Sequence, residues 1–336
     1  MVTGTTTSPA ETQGMTDIPV SLKGMLVSSD GVPYRDFRRG LTPRYGRVWR
    51  DIGLGYLVLF GIPVGLLVWN PELPLAILAA LAGALVIGFV LAYINNFFHE
   101  AAHYNLHRDR AANDRLTNLT MGWLFGSSIA TYRKIHFQHH RALGTTEDSE
   151  NSYFDPLGTR YLVEGLFGLK VVRTLKRYRE TERNRAPARK TDQGSARDRL
   201  LWMAACAVAN LGIAAALAAL GSLAAAAAWL AGLLLFFPFF VSLRQVLEHR
   251  SEDADGDADY RVVDHGAVNR LFGDSPLATT LGSAGFNRHA LHHWEPNISY
   301  TRLKDIERYL LSTEIAPLVR DRRTTYSQTF LRLFEL

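Results

Sequence analysis

The sequence predicts an all-α integral membrane protein with four transmembrane helices arranged as two hairpins. The stretch from Asp51 to His107 contains no Lys or Arg, and the stretch from Leu200 to Leu243 contains no charged residue of either sign. One crossing of a bilayer needs about 20 apolar residues, so each stretch is long enough for two crossings. The mean hydropathy of -0.03 conceals this contrast because the rest of the chain is polar.

The two hairpins are predicted over residues 53–69 with 75–98, and over residues 200–220 with 223–247. The segment NPELP forms the first turn, and Gly221-Ser222 forms the second. A pair of buried hairpins in a soluble globular core is the alternative. A globular helix rarely lacks a charged face over such a length, so the membrane interpretation is favoured.

The distribution of basic residues predicts the orientation in the membrane. Neither short turn carries Lys or Arg, whereas the N-terminal arm and the later polar segments carry nearly all of them. Basic flanks stay in the cytoplasm, so we expect both termini on that side of a bacterial cytoplasmic membrane. Residues 99–199 and 248–336 would then form a cytoplasmic helical cap, within one membrane domain over 51–336.

Residues 1–50 are predicted to form a disordered arm followed by a basic interfacial segment, because they begin rich in Thr, Ser and Gly and then read YRDFRRGLTPRYGR. The net charge of +5 favours contact with anionic lipid headgroups or an acidic partner. No nucleic-acid-binding motif accompanies this charge. The single cysteine, Cys206, lies in the third apolar helix and forms no disulfide within the chain.

Nine of the 11 histidines fall into four groups. The motif HEAAH ends the second membrane helix, HFQHH and HALHH follow later, and one histidine ends the fourth membrane helix in RQVLEHR. Residues at i, i+3 and i+4 share a helical face, so each motif directs its imidazoles to one side. Imidazole binds iron, zinc, copper and nickel. The candidate ligands are His99, His103, His136, His139, His140, His249, His289, His292 and His293.

The spacing of HEAAH also occurs in zinc metalloproteases. A catalytic zinc ion takes three protein ligands and one open position, however, and nine histidines suit two metal ions with four or five ligands each. We expect Glu100 to support an imidazole through its other ring nitrogen.

His107, one turn beyond His103, is a candidate tenth ligand or a polar neighbour, and His265 is predicted to be a surface residue. The acidic stretch 252–259 is predicted to be a solvated loop rather than a calcium site.

The three motifs resemble the histidine boxes of the membrane-bound fatty acid desaturase and hydroxylase superfamily, whose members carry a histidine-ligated di-iron centre. The resemblance extends past the boxes. Pro296, Tyr300 and Leu303 follow the third box in the family pattern, and TEDSENSYFDP is similar to the Asp-Pro region after the second. The resemblance covers roughly residues 75–303.

His249 is assigned as the ninth ligand by this resemblance. In stearoyl-CoA desaturases the corresponding histidine follows an Asn four residues earlier, and in alkane hydroxylases it is preceded by glutamate. Gln245 and Glu248 stand at these two positions. The resemblance therefore implies that Glu248 supports His249 and that Gln245 holds a water near one metal.

The resemblance implies an enzyme that uses two iron ions, O2 and electrons from a separate ferredoxin, rubredoxin or cytochrome b5. Desaturation of a fatty acyl chain is the favoured reaction, because the residues after the boxes are more similar to desaturases. Hydroxylation of an alkyl chain, a carotenoid or a small metabolite is the alternative.

The basic segment from Arg160 to Arg199 is a candidate docking surface for an acidic electron donor, or a solvated loop. A membrane metal transporter is a remote alternative, because it needs ligands near the bilayer midplane and these helices offer little there beyond Asn210.

Overall fold

Helices make up nearly all of the regular structure. The computed structural model describes residues 18–169, 172, 193–255, 258, 260, 263, 265–266 and 268–335. In chain order the α-helices are α1 (Tyr34–Arg39), α2 (Tyr45–Trp69), α3 (Leu73–Ala102), α4 (Arg110–Thr117), α5 (Trp123–Phe125), α6 (Ile129–Ala142), α7 (Thr159–Leu166), α8 (Gln193–Ala219), α9 (Leu223–Ala231), α10 (Phe237–His249), α11 (Pro276–Leu281), α12 (His289–Trp294), α13 (Tyr300–Leu310), α14 (Ala316–Asp321) and α15 (Tyr326–Leu333). Short 3-10 segments occur at Val20–Gly24, Ser152–Phe154 and Ser283–Arg288, and π-helical turns at Asn118–Gly122 and Gly232–Phe236.

Among the described residues, four helices are long and apolar enough to cross a membrane. They are Tyr45–Trp69, Leu73–Ala102, Ala196–Ala219 and Leu223–His249. The predicted membrane fold with four spanning helices is therefore confirmed, and the side on which each end lies stays a prediction. The helix that contains the first predicted span begins at Tyr45, before residue 53. Its first two turns are polar, and there Arg47 and Arg50 form ion pairs with the buried Asp51.

Both hairpins turn where the sequence predicts. Asn70 ends α2 in the left-handed conformation, with φ 39°, and α3 starts immediately after Glu72. In the second hairpin Gly221 has φ 98°, a conformation that glycine adopts without a steric penalty. Ser222 then caps α9 by accepting a hydrogen bond from Ala225 N. These turns hold each pair of spanning helices side by side.

The second and fourth spanning helices pack very closely. A Cβ atom on Gly88 of α3 would lie 2.3 Å from Phe236 Cβ, and one on Gly232 would lie 2.6 Å from Ile87 Cγ2. Small residues permit this approach of two helix backbones. It matters for the site because these two helices carry His99 and His249 in their last turns.

The described part of the N-terminal arm is folded onto the third histidine motif. Tyr34 is buried against Trp294, with ring centroids 5.0 Å apart, and its hydroxyl donates to Glu295 Oε1 at 3.1 Å. Arg38 Nε donates to the same carboxylate at 3.0 Å. Residues 18–44 are therefore ordered by contacts with the distant segment around 294–309, while residues 1–17 of the predicted disordered arm lie outside the described residues.

The segments predicted to form the cap contain short helices and one small sheet. Leu271 and Phe272 (β1) pair in parallel with Arg323 and Thr324 (β2). The apolar run 116–130 folds as a π-helical turn and short helices rather than as one long helix. Most of the predicted donor-docking segment, residues 170–171 and 173–192, lies outside the described residues, as do residues 256, 257 and 259 of the acidic loop.

Candidate metal centre

Four helix ends bring the nine predicted histidines together. His99 and His103 lie at the C-terminal end of α3, and His249 is the last residue of α10. Helix α6 carries the second motif, and α12 carries the third. Because i, i+3 and i+4 positions share a helical face, each short helix presents its imidazoles in one direction. All nine side chains meet in the same interior region.

The candidate ligands form one group of five imidazoles and two overlapping triads, and within each of these three sets the ligand atoms lie within 4.8 Å of one another. The first group is His99, His103, His136, His140 and His292. The second is described by two overlapping triads, His139 with His249 and His293, and Glu248 with His249 and His289. The sequence predicted two metal ions with four or five histidines each, and this assignment of ligands to ions stays a prediction.

The spacing of the ring nitrogens fits metal binding. In the first group, His136 Nε2 lies 2.8 Å from His103 Nε2 and 3.0 Å from His140 Nε2. In the second, His289 Nε2 lies 3.0 Å from His249 Nε2 and 3.1 Å from His293 Nε2. Metal–nitrogen bonds of about 2.1 Å at right angles place two ligand nitrogens about 3.0 Å apart. A bound cation would accept the lone pairs that converge here.

Burial keeps most of these imidazoles neutral. Desolvation holds the pKa values of His103, His140 and His292 well below the usual range, and the neighbouring imidazoles lower them further. The same causes act on His289 and His293. A neutral imidazole offers a lone pair to a metal without first losing a proton. The electrostatics of the centre therefore suit binding of a divalent cation.

Two carboxylates hold imidazoles of the second motif by their other nitrogen. Asp148 Oδ1 accepts a hydrogen bond from His139 Nδ1 at 2.8 Å, and Glu150 Oε1 lies 3.0 Å from His136 Nδ1. Such contacts orient a ligand and increase its basicity. Burial alone would lower the pKa of His139, but Glu150 and Asp148 outweigh it and the net shift is upward.

Sequence reasoning did not assign a role to Asp148 or Glu150, although it noted the acidic stretch that contains them. Burial would raise the pKa of Glu150, but the adjacent imidazoles of His136 and His139 bring it to about 2. Glu150 is therefore ionised beside the histidines. The sequence did contain a signal for this role, because the acidic stretch TEDSE follows HFQHH within a few residues.

Glu100 does not make the predicted contact with an imidazole. Its Oε2 accepts a hydrogen bond from Tyr300 N at 3.2 Å, and its Oε1 has no partner among the described residues. The physical reason is the helix geometry, because adjacent residues such as His99 and Glu100 do not face the same side. Glu100 instead connects the first motif to the segment after the third.

Glu248 lies at the centre but does not support His249 as predicted. Its Oε2 is 3.6 Å from His289 Nε2, and its Oε1 accepts a hydrogen bond from Arg244 Nε at 2.7 Å. His249 Nδ1 has no partner among the described residues. Glu248 follows the same rule as Glu100, because it is adjacent to His249 on the helix and faces a different element.

Gln245 contacts the acidic segment rather than a histidine. Its Nε2 donates to Glu150 Oε2 at 3.1 Å, and its Oε1 accepts a hydrogen bond from the Ser152 hydroxyl. It also lines the small cavity beside the histidines. The predicted water on Gln245 stays a prediction.

The two remaining histidines lie outside both groups. His107 is partly exposed, and its Nδ1 accepts a hydrogen bond from Asp109 N at 3.0 Å. His265 was predicted to be a surface residue, and this is wrong: it is 8% exposed and packs against Tyr153 and Tyr260. Burial lowers its pKa to about 3, with help from Arg250 and Arg270. Tyr153 lies more than a hundred positions earlier in the chain, so the sequence around His265 gave no sign of this contact.

A small cavity adjoins the histidines, and a larger apolar cavity adjoins the small one. The small one, of about 40 Å³, is lined by both groups together with Glu150, Gln245 and Glu248. The larger one, of about 370 Å³, runs between α3, α10 and α15 and has a mainly apolar lining, including Phe89, Tyr93, Phe240, Leu243, Leu247 and Phe330. Ala92, Asn96 and Arg244 line both. The apolar cavity therefore meets the metal centre at these three residues.

Four helices that can span a membrane and interior histidine groups that could hold a metal define the class: a membrane protein with a candidate metal centre. The family model described as fatty acid desaturase matches residues 75–326 of the chain. The chain therefore belongs to the fatty acid desaturase family and is an oxidoreductase of the desaturase and hydroxylase kind. None of the curated proteins compared with the chain matches it.

Proposed function

We propose that the protein is an O2-dependent di-iron enzyme that introduces a double bond into a fatty acyl chain. The observation that carries this proposal is the meeting of two histidine groups with an apolar cavity at Ala92, Asn96 and Arg244. Apolar cavities with a few polar groups are typical of sites for lipid-like ligands. The family match supports the same reaction class.

The nine histidines would hold the two irons, five on one ion and four on the other. Iron would supply the O2 activation and the electron transfer that side chains cannot perform. Glu248 is a further oxygen donor for the second ion, since its carboxylate faces His289 Nε2 at 3.6 Å. Neutral imidazole with a carboxylate is a donor set that iron accepts.

The protein's own residues would orient the ligands and exclude water. Asp148 and Glu150 fix the rings of His139 and His136 through their Nδ1 atoms. His136 and His292 have no exposed surface, so bulk water does not reach them. The apolar cavity would hold the alkyl chain with one C–H bond facing the centre. Such positioning decides which carbon reacts.

The reaction needs two electrons from outside the chain. Desaturation converts CH2–CH2, O2, two electrons and two protons into CH=CH and two molecules of water. Hydroxylation converts C–H, O2, two electrons and two protons into C–OH and one molecule of water. A ferredoxin, a rubredoxin or cytochrome b5 with its reductase is the proposed donor. The protein would receive these electrons on the cytoplasmic side of a bacterial membrane, where its basic residues favour an acidic partner.

Two histidine groups distinguish this proposal from a zinc metalloprotease. A catalytic zinc site takes three protein ligands and a water. The first group alone offers five imidazoles, and the other four histidines belong to two overlapping triads. The HEAAH spacing therefore forms part of a larger centre.

Mass spectrometry of lipids from host cells that express the protein tests the proposed reaction. We expect a product lighter than its precursor by two hydrogens, and no such product with His139→Ala or His292→Ala. His107→Ala is the matched control, because His107 lies outside both groups, and it should retain the product. A product heavier by one oxygen would overturn desaturation and assign hydroxylation. Retained turnover in both ligand variants would overturn the metal assignment.

A further inference from the structure

The junction between the two cavities carries an arginine whose end groups are unpartnered. Arg244 lines both cavities, and its side chain is 17% exposed. Its Nε donates to Glu248, and its guanidinium lies 5.7 Å from the Phe286 ring centroid. Its two terminal NH2 groups donate no hydrogen bond to any described residue. A carboxylate matches a guanidinium fork with two parallel bonds.

A second unpartnered donor lines the same cavity. Tyr326 of α15 is 5% exposed, and its hydroxyl has no hydrogen-bond partner among the described residues. Its ring stacks on Phe272 at 3.7 Å between centroids, which fixes the direction of the hydroxyl. Burial raises the pKa of Tyr326, so the hydroxyl keeps its proton and remains a donor. Of the charged side chains around Tyr326, Glu248 raises this pKa further and Arg244 lowers it.

The described protein residues supply no acceptor for the Tyr326 hydroxyl or for the Arg244 NH2 groups, and both residues line the larger cavity. An unsatisfied buried donor such as the Tyr326 hydroxyl costs about 1–3 kcal/mol. The existing pair with Glu248 balances one positive charge but leaves the NH2 fork free. A ligand that brings a carboxylate would satisfy both the fork and the phenol. An uncharged alkyl chain would leave both unsatisfied.

We propose that the apolar cavity binds an amphiphile with a free carboxylate, whose head is held by Arg244 and Tyr326 and whose alkyl tail leads out of the cavity. The inner cavity of about 40 Å³ is too small for an alkyl chain, so the tail extends the other way. The lining of the larger cavity includes Leu277, Leu281 and Leu331, whose side chains are 59%, 37% and 49% exposed. Exposed leucines around an opening suit entry from a lipid phase.

This orientation has a consequence for the reaction, which rests on the proposed function. Only the Glu248 carboxylate separates the Arg244 guanidinium from His289 Nε2, through contacts of 2.7 Å and 3.6 Å. A head group held by Arg244 therefore keeps the first carbons of the chain beside the metal centre. The enzyme would oxidise a C–H bond near the carboxylate rather than in the middle of the chain, with the electron and proton balance given above.

Binding of radiolabelled dodecanoate to the full-length protein in phosphatidylcholine nanodiscs tests the head-group site without any turnover. Empty nanodiscs correct for partition into lipid, and dodecanol is the uncharged comparison. We expect Arg244→Gln to weaken dodecanoate binding by about tenfold or more, and Tyr326→Phe by about threefold to tenfold. Arg244→Lys should fall between wild type and Arg244→Gln, because it keeps the charge and loses the fork.

Two controls separate recognition from damage to the fold. Arg35→Gln removes an exposed charge outside the cavity and should leave dodecanoate binding unchanged. Dodecanol binding should stay within about twofold of wild type in Tyr326→Phe, which preserves the ring and its stacking. The proposal is overturned if wild type binds dodecanol as tightly as dodecanoate, or if both variants bind dodecanoate like wild type. Tighter binding of dodecyl phosphate would overturn the carboxylate assignment.

Mapping the oxidised carbon separates this proposal from the proposed function. With O2 and reduced ferredoxin, we expect dodecanoate to be oxidised within its first few carbons, as located by tandem mass spectrometry. Oxidation in the middle of the chain would overturn the orientation. Arg244-dependent binding without any oxidation would overturn the proposed function and leave the carboxylate site in place.

Discussion

Asp148 accepts a hydrogen bond from His139 Nδ1 at 2.8 Å, and the Tyr153 hydroxyl donates to the other oxygen of the same carboxylate. Asp148 is 2% exposed, so this chain of contacts lies in the interior. Because Asp148 binds Nδ1, the other ring nitrogen of His139, Nε2, is left to face the second histidine group. The contact links a loop after the second motif to the proposed ligand geometry.

Asp148→Ala is expected to weaken iron binding by about 10-fold to 100-fold, because His139 loses the partner that orients it. Iron retained after dialysis against a graded series of chelator concentrations measures this change. Glu147→Gln, an exposed neighbour, is the matched control and should retain iron like wild type. Equal retention by Asp148→Ala and wild type would show that the contact does not support a ligand.

The two histidine groups are expected to lose metal separately. His103→Ala removes a ligand of the first group only, and His293→Ala removes a ligand of the second only. Each variant should retain about one iron per chain, because the other group keeps all of its imidazoles. Elemental analysis of the purified variants gives the number. Full retention of both ions by both variants would contradict the division into two sites.

Gly88→Ala is expected to destabilise the protein by about 1–3 kcal/mol, because overpacking forces closely packed helices apart. The added Cβ would meet Phe236 Cβ at 2.3 Å. Gly61→Ala is the matched control, since nothing lies within 4 Å of a Cβ there. Thermal unfolding in detergent should give a lower midpoint for Gly88→Ala alone. An unchanged midpoint would mean that the spanning helices adjust without cost.

Glu295→Ala is expected to release the N-terminal segment from the third histidine motif. The buried carboxylate accepts from Tyr34 and Arg38 and lies 3.2 Å from Lys23 Nζ. We expect a loss of about 1–3 kcal/mol and faster proteolysis within residues 18–44. Arg39→Gln, which breaks an exposed pair with Asp36, is the control. Unchanged proteolysis of Glu295→Ala would show that apolar contacts alone hold the segment.

The sequence predicted the spanning helices and the three histidine motifs because both depend on local patterns. An uncharged run has the length of a membrane crossing, and HxxHH places three imidazoles on one helical face. Such signals need no knowledge of distant contacts. The four helices and the eight histidines of the three motifs therefore followed from local patterns, whereas His249 was assigned by the family resemblance.

Contacts between distant segments could not be predicted in the same way. Asp148 reaches His139 through an irregular loop, and His265 is buried by residues more than a hundred positions earlier, such as Tyr153. The order of residues 18–44 likewise depends on Glu295 and Trp294 near the other end of the chain. Glu100 and Glu248 differ from these, because helical geometry alone indicates that neither faces the histidine beside it.

The metal content of the purified wild-type protein tests the central claim most directly. Elemental analysis combined with Mössbauer spectroscopy on iron-57 material should give two iron ions per chain in nitrogen-rich environments. A single zinc ion per chain, with no iron retained after anaerobic reconstitution, would contradict the account.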